Sequence, residues 1–220
     1  MNMLLTRRHF VLGASSLASL ALAGCATSTP HPVDLPPQIP ANVREMYAAL
    51  PLERFPIPSA QIALVDPLYW RQEVANTTGE AAGTVVVDTP NRLLYWTMPN
   101  GRAMRYGVGI GRDGFAWAGR ARIAYKREWP RWTPPATMIE RQPELERYRH
   151  GMEPGLDNPL GPRALYIHNR EGDTLYRIHG NMDARTIGQA VSSGCVRLLF
   201  QDVIDLYQRV PDGSPIVVIQ

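Results

Sequence analysis

The chain has 220 residues, a formal net charge of +3 and two cysteines. Its basic residues are almost all arginine, with Lys126 the sole lysine, and they are scattered rather than clustered. Because nucleic-acid binding requires a basic patch or stripe, this distribution excludes nucleic acid as a partner. After residue 24, no apolar stretch reaches the length that a membrane-spanning helix requires.

Residues 1–24 have the character of a signal peptide. Arg7 and Arg8 precede an apolar stretch at 10–23, and no acidic residue is present. The stretch is short for a bilayer span and typical of a signal-peptide core. The paired arginines resemble the twin-arginine export signal, with an ordinary Sec signal as the alternative. We expect export by either route.

The segment ends in Leu22-Ala23-Gly24-Cys25, which resembles a bacterial lipobox. In such signals the cysteine is diacylated on sulfur, the chain is cut before it, and the new amine is acylated. Several acyl chains hold a membrane stably, whereas one holds it marginally. We therefore expect a protein of the cell envelope that faces the periplasm and is anchored through Cys25. A soluble periplasmic protein with a chance cysteine is the alternative.

Lipidation of Cys25 would leave Cys195 as a lone thiol in an oxidising compartment. An odd cysteine in an exported protein is explained by a catalytic role. A disulfide between Cys25 and Cys195 is the alternative, and it would tie a flexible terminus to the far end of the domain.

Eight of the twenty prolines lie between residues 26 and 58. This composition predicts a semi-rigid, extended tether, and we assign residues 25–80 to the lipid-anchored tether and its lead-in to the folded domain. A disordered leader is the alternative. Within the tether, Asn42 is positioned to cap a short helix with apolar residues on one face: Val43, Met46, Tyr47 and Leu50.

Residues 81–220 read as a single, mainly β domain. Runs of β-branched or alternating residues predict strands at 84–88, 93–98, 102–110, 164–168, 174–178 and 216–219. Asn100-Gly101 predicts a tight hairpin turn, because both turn positions favour positive φ. The apolar spacing of residues 203–210 predicts a helix that ends at Pro211, and residues 186–191 predict a shorter turn.

A long irregular stretch rich in proline and aromatic residues separates Trp129 from Gly161. Such stretches in compact domains are often lids or binding loops, and one short helix is predicted near 143–149. For the tryptophans in and before this region we favour core positions, with a sugar- or peptide-binding groove as the alternative: Trp117, Trp129 and Trp132.

Two other kinds of site are rejected. Residues 109–114 match the glycine spacing of a dinucleotide fingerprint, but no helix and no β-α-β unit follow. We assign these glycines to bends or to close backbone approach. His168, His179 and Cys195 include zinc-ligand types, but their spacing matches no common zinc pattern, and we expect no metal.

The informative region contains Ile178-His179-Gly180 and then Gly194-Cys195. A thiol with an ordinary pKa of ~8.5 is mostly protonated at neutral pH and needs a base to become a nucleophile. A histidine within reach can take that proton and return one to a leaving amine. Gly194 permits a tight turn that lets nearby amides face an oxyanion. From these residues alone, a buried structural cysteine is an equally good interpretation.

Ile178-His179-Gly180 followed by Ser193-Gly194-Cys195-Val196-Arg197 resembles the paired signature of the L,D-transpeptidase family, the YkuD-type (ErfK/YbiS-like) catalytic domain. The resemblance covers about residues 81–220. Neighbouring segments resemble the family too: Asn158-Pro159-Leu160-Gly161, Arg163-Ala164-Leu165-Tyr166, Ile187-Gly188 and Asp202-Val203-Ile204. Phe200 departs from the pattern, since members often have a polar helix cap there. We expect that departure to alter local stability and not chemistry.

The resemblance implies a β-sandwich with a few short helices beside the active site. It makes Cys195 the nucleophile and His179 the general base and acid, with the Gly180 carbonyl orienting the imidazole in place of a triad carboxylate.

It also implies an oxyanion hole formed by the backbone amides of Gly194 and Cys195. Ser193 and Arg197 would shape the pocket, and neither a cofactor nor a metal is implied.

The implied reaction is a two-step acyl transfer on peptidoglycan tetrapeptide stems. Cys195 would attack the carbonyl of the third residue, release the terminal D-Ala and form a thioester, which an amine would then take up. If the acceptor is a second stem, the product is a 3–3 crosslink. If it is an envelope protein, that protein becomes attached to the wall, and if it is a free D-amino acid, that amino acid replaces the terminal D-Ala. Water as acceptor makes the enzyme a hydrolase, and a non-catalytic wall-binding lipoprotein is the other alternative.

Overall fold

The computed structural model describes residues 38–111, 118–192 and 195–220. Within these ranges the β-branched and aromatic runs form strands β1 Gln72–Ala75, β2 Val85–Asp88, β3 Leu93–Met98, β4 Arg102–Gly107, β5 Ile110–Gly111, β6 Gly119–Glu128, β7 Arg163–Asn169, β8 Gly172–Asn181, β9 Ala190–Ser192, β10 Val196–Leu199 and β11 Pro215–Ile219. The prediction of a mainly β domain is confirmed.

Helices are short and few in the same ranges. The α-helices are α1 Ala41–Met46, α2 Ala136–Arg141 and α3 Phe200–Arg209. Single 3₁₀ turns lie at Ile62–Leu64, Pro67–Tyr69, Pro143–Tyr148 and Ala184–Thr186. The helix predicted at 203–210 is α3, and it begins earlier, at Phe200. Among these helices none is both long and apolar enough to cross a membrane.

Nine strands form one mixed sheet in the order β1-β4-β3-β2-β11-β6-β7-β8-β10, while β5 and β9 form a separate parallel pair. Asn100 and Gly101, with φ of 60° and 67°, make the predicted hairpin turn between β3 and β4. After β4, Gly109 exchanges both backbone hydrogen bonds with Arg197 of β10, at 2.9 and 2.8 Å. The mainly β domain is therefore built on one nine-stranded sheet, and the chain that follows β4 is hydrogen-bonded to the β10 end of that sheet.

The inward-facing side chains of both halves of the sheet pack into a single core. Val85 and Leu94 from one half contact the cluster that holds Ile178 and Val196 from the other. One face of α3 completes this core with Val203, Leu206 and Val210. Since successive strand residues point to opposite faces, the residues that alternate with these core positions along the strands lie on the other face of the sheet.

Strand β6 was not predicted from the sequence, although it lies between β11 and β7 in the middle of the sheet. Its sequence is dominated by charged and small residues, and of its ten positions only Ile123 is buried. The missing apolar alternation hid a strand that backbone pairing on both edges holds in place.

Residues 39–80, here called the strap, correct the tether interpretation. They fold with the rest of the domain in one unit, Ile39–Gln220, and their apolar side chains Val43, Tyr47, Ile62 and Val65 pack on Ala184, Ile187 and Leu199. Their prolines serve turns and helix starts: Pro40 precedes α1, and Pro67 opens a 3₁₀ turn. The cap expected from Asn42 is not formed, because α1 begins at Ala41 without a side-chain cap. Residues 25–37 lie outside the described ranges.

Polar groups fasten the strap at a second place. Glu53 accepts hydrogen bonds from Arg163 at 2.7 and 3.1 Å and from the Trp129 indole at 2.9 Å. The side chains of Arg163 and Glu53 are only 8% and 17% exposed. Removing one partner of a buried pair leaves an uncompensated charge and is strongly destabilising.

We therefore expect Glu53→Ala to lower the free energy of unfolding by about 3 kcal/mol, because it leaves the buried Arg163 guanidinium with only the exposed Glu128 carboxylate, 3.9 Å away. Glu73→Ala is the matched control, since the Glu73–Arg102 pair is 50% and 44% exposed, and such pairs contribute under about 1 kcal/mol. Urea unfolding of both variants measures the difference. Equal losses of unfolding free energy in the two variants would show that the Glu53–Arg163 contact contributes no more than an exposed ion pair.

Candidate active site

A single strand pairing brings together residues that are far apart in sequence. Strands β8 and β10 are parallel, with His179 opposite Arg197 and Ile178 opposite Val196. Ile178 and Val196 are in the core, so His179 and Arg197 lie on the opposite face of the sheet, away from that core. Cys195 immediately precedes β10 and is two residues from Arg197, which places it on the same outward side.

His179, Cys195 and Arg197 line one cavity of about 240 Å³. Pro159 and Leu160 form another part of its wall. The remaining lining residues come from the irregular stretch predicted as a lid: Trp132, Met138, Gln142 and Leu145. These belong to a segment, residues 132–152, that includes α2 and the 3₁₀ turn Pro143–Tyr148 and that we call the lid.

The sequence prediction for the tryptophans is half right. Trp129 is 4% exposed and packs in a core cluster with Ile57, Phe200 and Ile204. Trp132 lines the cavity, so placing it in the core was wrong. Trp117 lies outside the described ranges. Composition reveals an aromatic-rich segment but not which ring the chain path turns towards the site.

Asn158 fixes the base of the lid. Its buried side-chain amide reaches the carbonyls of Pro130, Met152 and Glu153 at 3.1–3.3 Å, and its oxygen accepts from the Leu160 amide at 2.9 Å. Trp132 and Met152 also exchange two backbone hydrogen bonds. Both ends of the lid are thus joined to the segment that forms the cavity wall.

His179 is buried, and its Nδ1 lies 2.9 Å from the Gly180 carbonyl oxygen. A carbonyl can only accept, so Nδ1 carries the proton and Nε2 is left as the basic nitrogen. Burial, assisted by the positive charge of Arg197, lowers the His179 pKa to about 4 against the opposing effect of the Gly180 and Pro159 carbonyls. The imidazole is therefore neutral at neutral pH.

Cys195 is partly exposed. Burial raises the pKa of its thiol, and the backbone hydrogen bond from Arg177 and the charges of Arg177 and Arg197 act in the opposite direction. The thiol and the imidazole thus both favour their neutral forms in the free protein. Ser193 and Gly194, predicted for the pocket and the oxyanion hole, lie outside the described ranges, as does Cys25.

Arg197 is half-buried in the cavity wall. Burial lowers the pKa of its guanidinium, but the ordinary pKa of arginine is so high that the group remains charged. The ion pairs found in the described part of the chain all involve other residues. By contrast, Arg177 on the same face is paired with Asp173 through two hydrogen bonds of 2.7 Å. A cation in a cavity without a carboxylate partner in those ranges suits an acidic ligand.

The two rejected sites are placed as follows. His168 is in β7. Its imidazole lies 4.0 Å from the Asp173 carboxylate and edge-on to the Tyr125 ring, and it is not among the residues that line the cavity. Within the described ranges no group of three potential metal ligands is present. A Cβ on Gly109 would lie 2.5 Å from the Thr186 carbonyl oxygen. The assignment of that glycine to close backbone approach is confirmed.

Comparisons with known proteins identify the family of this chain. Residues 82–218 match the family model described as the YkuD L,D-transpeptidase catalytic domain. A protein of Fuscovulum blasticum, named as an L,D-transpeptidase, is 36% identical over 138 residues, or 61% of this chain and 68% of the relative. YbiS of Escherichia coli K12, named likewise, is 34% identical over 143 residues, or 60% of this chain and 42% of the relative.

A solved structure from Brucella melitensis, described as a carnitine operon oxidoreductase, is 43% identical. The match covers 73% of this chain and all of that one, with a TM-score of 0.49. The family assignment rests on the family model and on the curated relatives.

The pKa directions of the pair predict how the free thiol reacts. We expect alkylation of Cys195 by iodoacetamide to rise about tenfold per pH unit between pH 6 and 8, because the reactive thiolate is a small fraction of a thiol whose pKa is raised. Mass spectrometry of the peptide that contains Cys195 measures the rate separately from Cys25. A rate that stays level from pH 5 to 7 would instead indicate a thiolate–imidazolium ion pair.

Proposed function

We propose that this chain, which belongs to the YkuD family of L,D-transpeptidase catalytic domains, transfers acyl groups from peptidoglycan tetrapeptide stems through a thioester on Cys195. The observation that supports this most directly is the shared cavity of His179, Cys195 and Arg197 on the outward face of β8 and β10. The cavity combines a thiol, a neutral base and a cation.

In the first half-reaction, Nε2 of His179 takes the Cys195 proton as the sulfur attacks the carbonyl carbon of the third stem residue. The amide C–N bond then breaks. The terminal D-Ala leaves as an amine with the proton that His179 returns, and the stem remains as a thioester. An imidazolium in a site that lowers the His179 pKa to about 4 is a strong acid, which favours protonation of the leaving amine.

In the second half-reaction, an acceptor amine attacks the thioester carbonyl and gives its proton to His179. The C–S bond breaks and the sulfur takes the proton back, so both catalytic groups return to their neutral forms. A second stem gives a 3–3 crosslink, and an amine of an envelope protein gives covalent attachment to the wall. The apolar lid side chains Trp132, Met138 and Leu145 favour amine transfer over hydrolysis, because they limit water in the cavity.

The proposed place of this reaction is the cell envelope. The lipobox-like residues at 22–25 support export and lipidation of Cys25, with the catalytic domain facing the periplasm. Peptidoglycan stems would be its partners, and an envelope protein would be an alternative acceptor.

The proposal is tested by incubating the unlipidated protein, with Cys25 present as a free thiol, with a tetrapeptide stem and an amine acceptor. We expect a thioester adduct on wild type, release of D-Ala and a transfer product, and none of these from Cys195→Ala, because that variant lacks the attacking sulfur. Cys25→Ala, which removes the chain's other thiol, is the matched control and should react as wild type does. Mass spectrometry separates crosslinked stems, protein adducts and trimmed tripeptides. Equal turnover by Cys195→Ala would contradict the proposal.

Arg197 is proposed to orient the donor, because stem peptides carry carboxylates at the third residue and at the terminal D-Ala. Its planar fork can meet a carboxylate with two parallel hydrogen bonds, which lysine cannot reproduce. We expect Arg197→Lys to lower donor kcat/KM at least ~10-fold, or about 1.4 kcal/mol of transition-state stabilisation, with an unchanged Tm. A fall in Tm together with slower acylation by a small β-lactam would assign Arg197 to holding the loop before Cys195. Wild-type turnover and Tm would exclude both roles.

A further inference from the structure

Phe200 is the first residue of α3, directly after the N-cap residue Leu199. Its ring is 3% exposed and lies in the cluster with Ile57, Trp129 and Ile204. This cluster therefore buries the ring at the start of the helix. Two glycines also lie beside the ring.

Two glycines leave room for this ring. A Cβ on Gly180 would lie 2.8 Å from Phe200 Cδ1, and one on Gly161 would lie 2.5 Å from Phe200 Cε1. Real Cβ atoms do not approach so closely, so the ring rests directly on the two backbones. Pro162 limits the same space, because a Cβ on Gly180 would lie 2.9 Å from its Cδ.

Gly180 is the residue whose carbonyl oxygen lies 2.9 Å from His179 Nδ1. Its amide donates to the Leu160 carbonyl at 3.0 Å, and Leu160 lines the catalytic cavity. The backbone at Gly180 is thus held by the hydrogen bond of its amide, by its pairing with Leu198 of β10 and by the Phe200 ring beside it. With the ring absent, the backbone could shift into the vacated space and carry the Gly180 carbonyl away from the imidazole.

We propose that Phe200 is a positioning residue for the catalytic base, fixing the Gly180 carbonyl against His179 Nδ1 by packing in the space that Gly180 and Gly161 leave. The proposal deepens the proposed function and rests on His179 being the base. The Phe200 ring would hold the imidazole in the tautomer whose Nε2 can accept the Cys195 proton, and it would keep Nε2 aimed at the sulfur. A small misplacement of a catalytic group is enough to slow a reaction by one to two orders of magnitude.

The test compares Phe200→Ala with Ile204→Ala. Ile204 is the matched control because it lies one turn later on α3, is 8% exposed and belongs to the same cluster, yet it is not among the atoms closest to either glycine. We expect Phe200→Ala to lower the maximal rate of Cys195 acylation by a carbapenem at least ~10-fold, with little change in the half-saturating concentration. Ile204→Ala should acylate within about twofold of wild type, as expected for a change distant from the reacting groups.

A second readout does not depend on turnover. A hydrogen-bonded Nδ1 proton of His179 should give a downfield proton NMR signal in wild type and in Ile204→Ala, and the signal should shift or broaden in Phe200→Ala. Where Phe200→Ala does not fold, Phe200→Leu replaces it, since leucine lacks the ring atoms that contact Gly161. Equal acylation losses in the Phe200 and Ile204 variants, or an unchanged signal, would overturn the positioning role. Absence of stem turnover in wild type would contradict the proposed function and leave the NMR result standing.

Discussion

The parallel pairing of β8 with β10 is the constraint on which the rest of the site depends. His179 and Arg197 are opposite each other only because Ile178 and Val196 are both buried in the core. A shift of one residue would turn Arg197 inward and Val196 outward, which exchanges a buried apolar side chain for a charged one. The hydrophobic core therefore sets the catalytic register, and the chemistry follows from packing.

Burial also sets the protonation state of the site. Burial favours the neutral forms of both the thiol and the imidazole, since it raises the Cys195 pKa and lowers the His179 pKa. A neutral pair is less nucleophilic at rest than an ion pair. In the proposed reaction it would pass the thiol proton through His179 to the leaving amine and would take a second proton from the acceptor amine. Among the described residues that line the cavity, Arg197 is the one with a fixed positive charge, which suits an acidic donor.

Much of this fold could be predicted, and the exceptions have physical causes. Alternating runs and the Asn100-Gly101 turn act over a few residues, so β2, β3 and their hairpin followed from the sequence. The outward charges of β6 hide its pairing, and prolines look alike in an extended tether and in the turns of the strap. Which tryptophan faces the cavity depends on the path of the lid. The positions of His179 and Cys195 came from their motif and not from periodicity.

The strap belongs to the catalytic unit even though the family match begins at residue 82. The Gln201 side-chain amide, two residues after the end of β10, donates to the carbonyls of Ala48 and Pro58. The Asp202 carboxylate accepts a hydrogen bond from the Tyr47 hydroxyl at 3.1 Å. Ile187, in the segment after β8, packs on the same strap cluster. The strap therefore contacts the chain just beyond both catalytic strands. Because a strand end frays less when its continuation is held, these contacts stabilise the ends of β8 and β10 with residues that precede the family match.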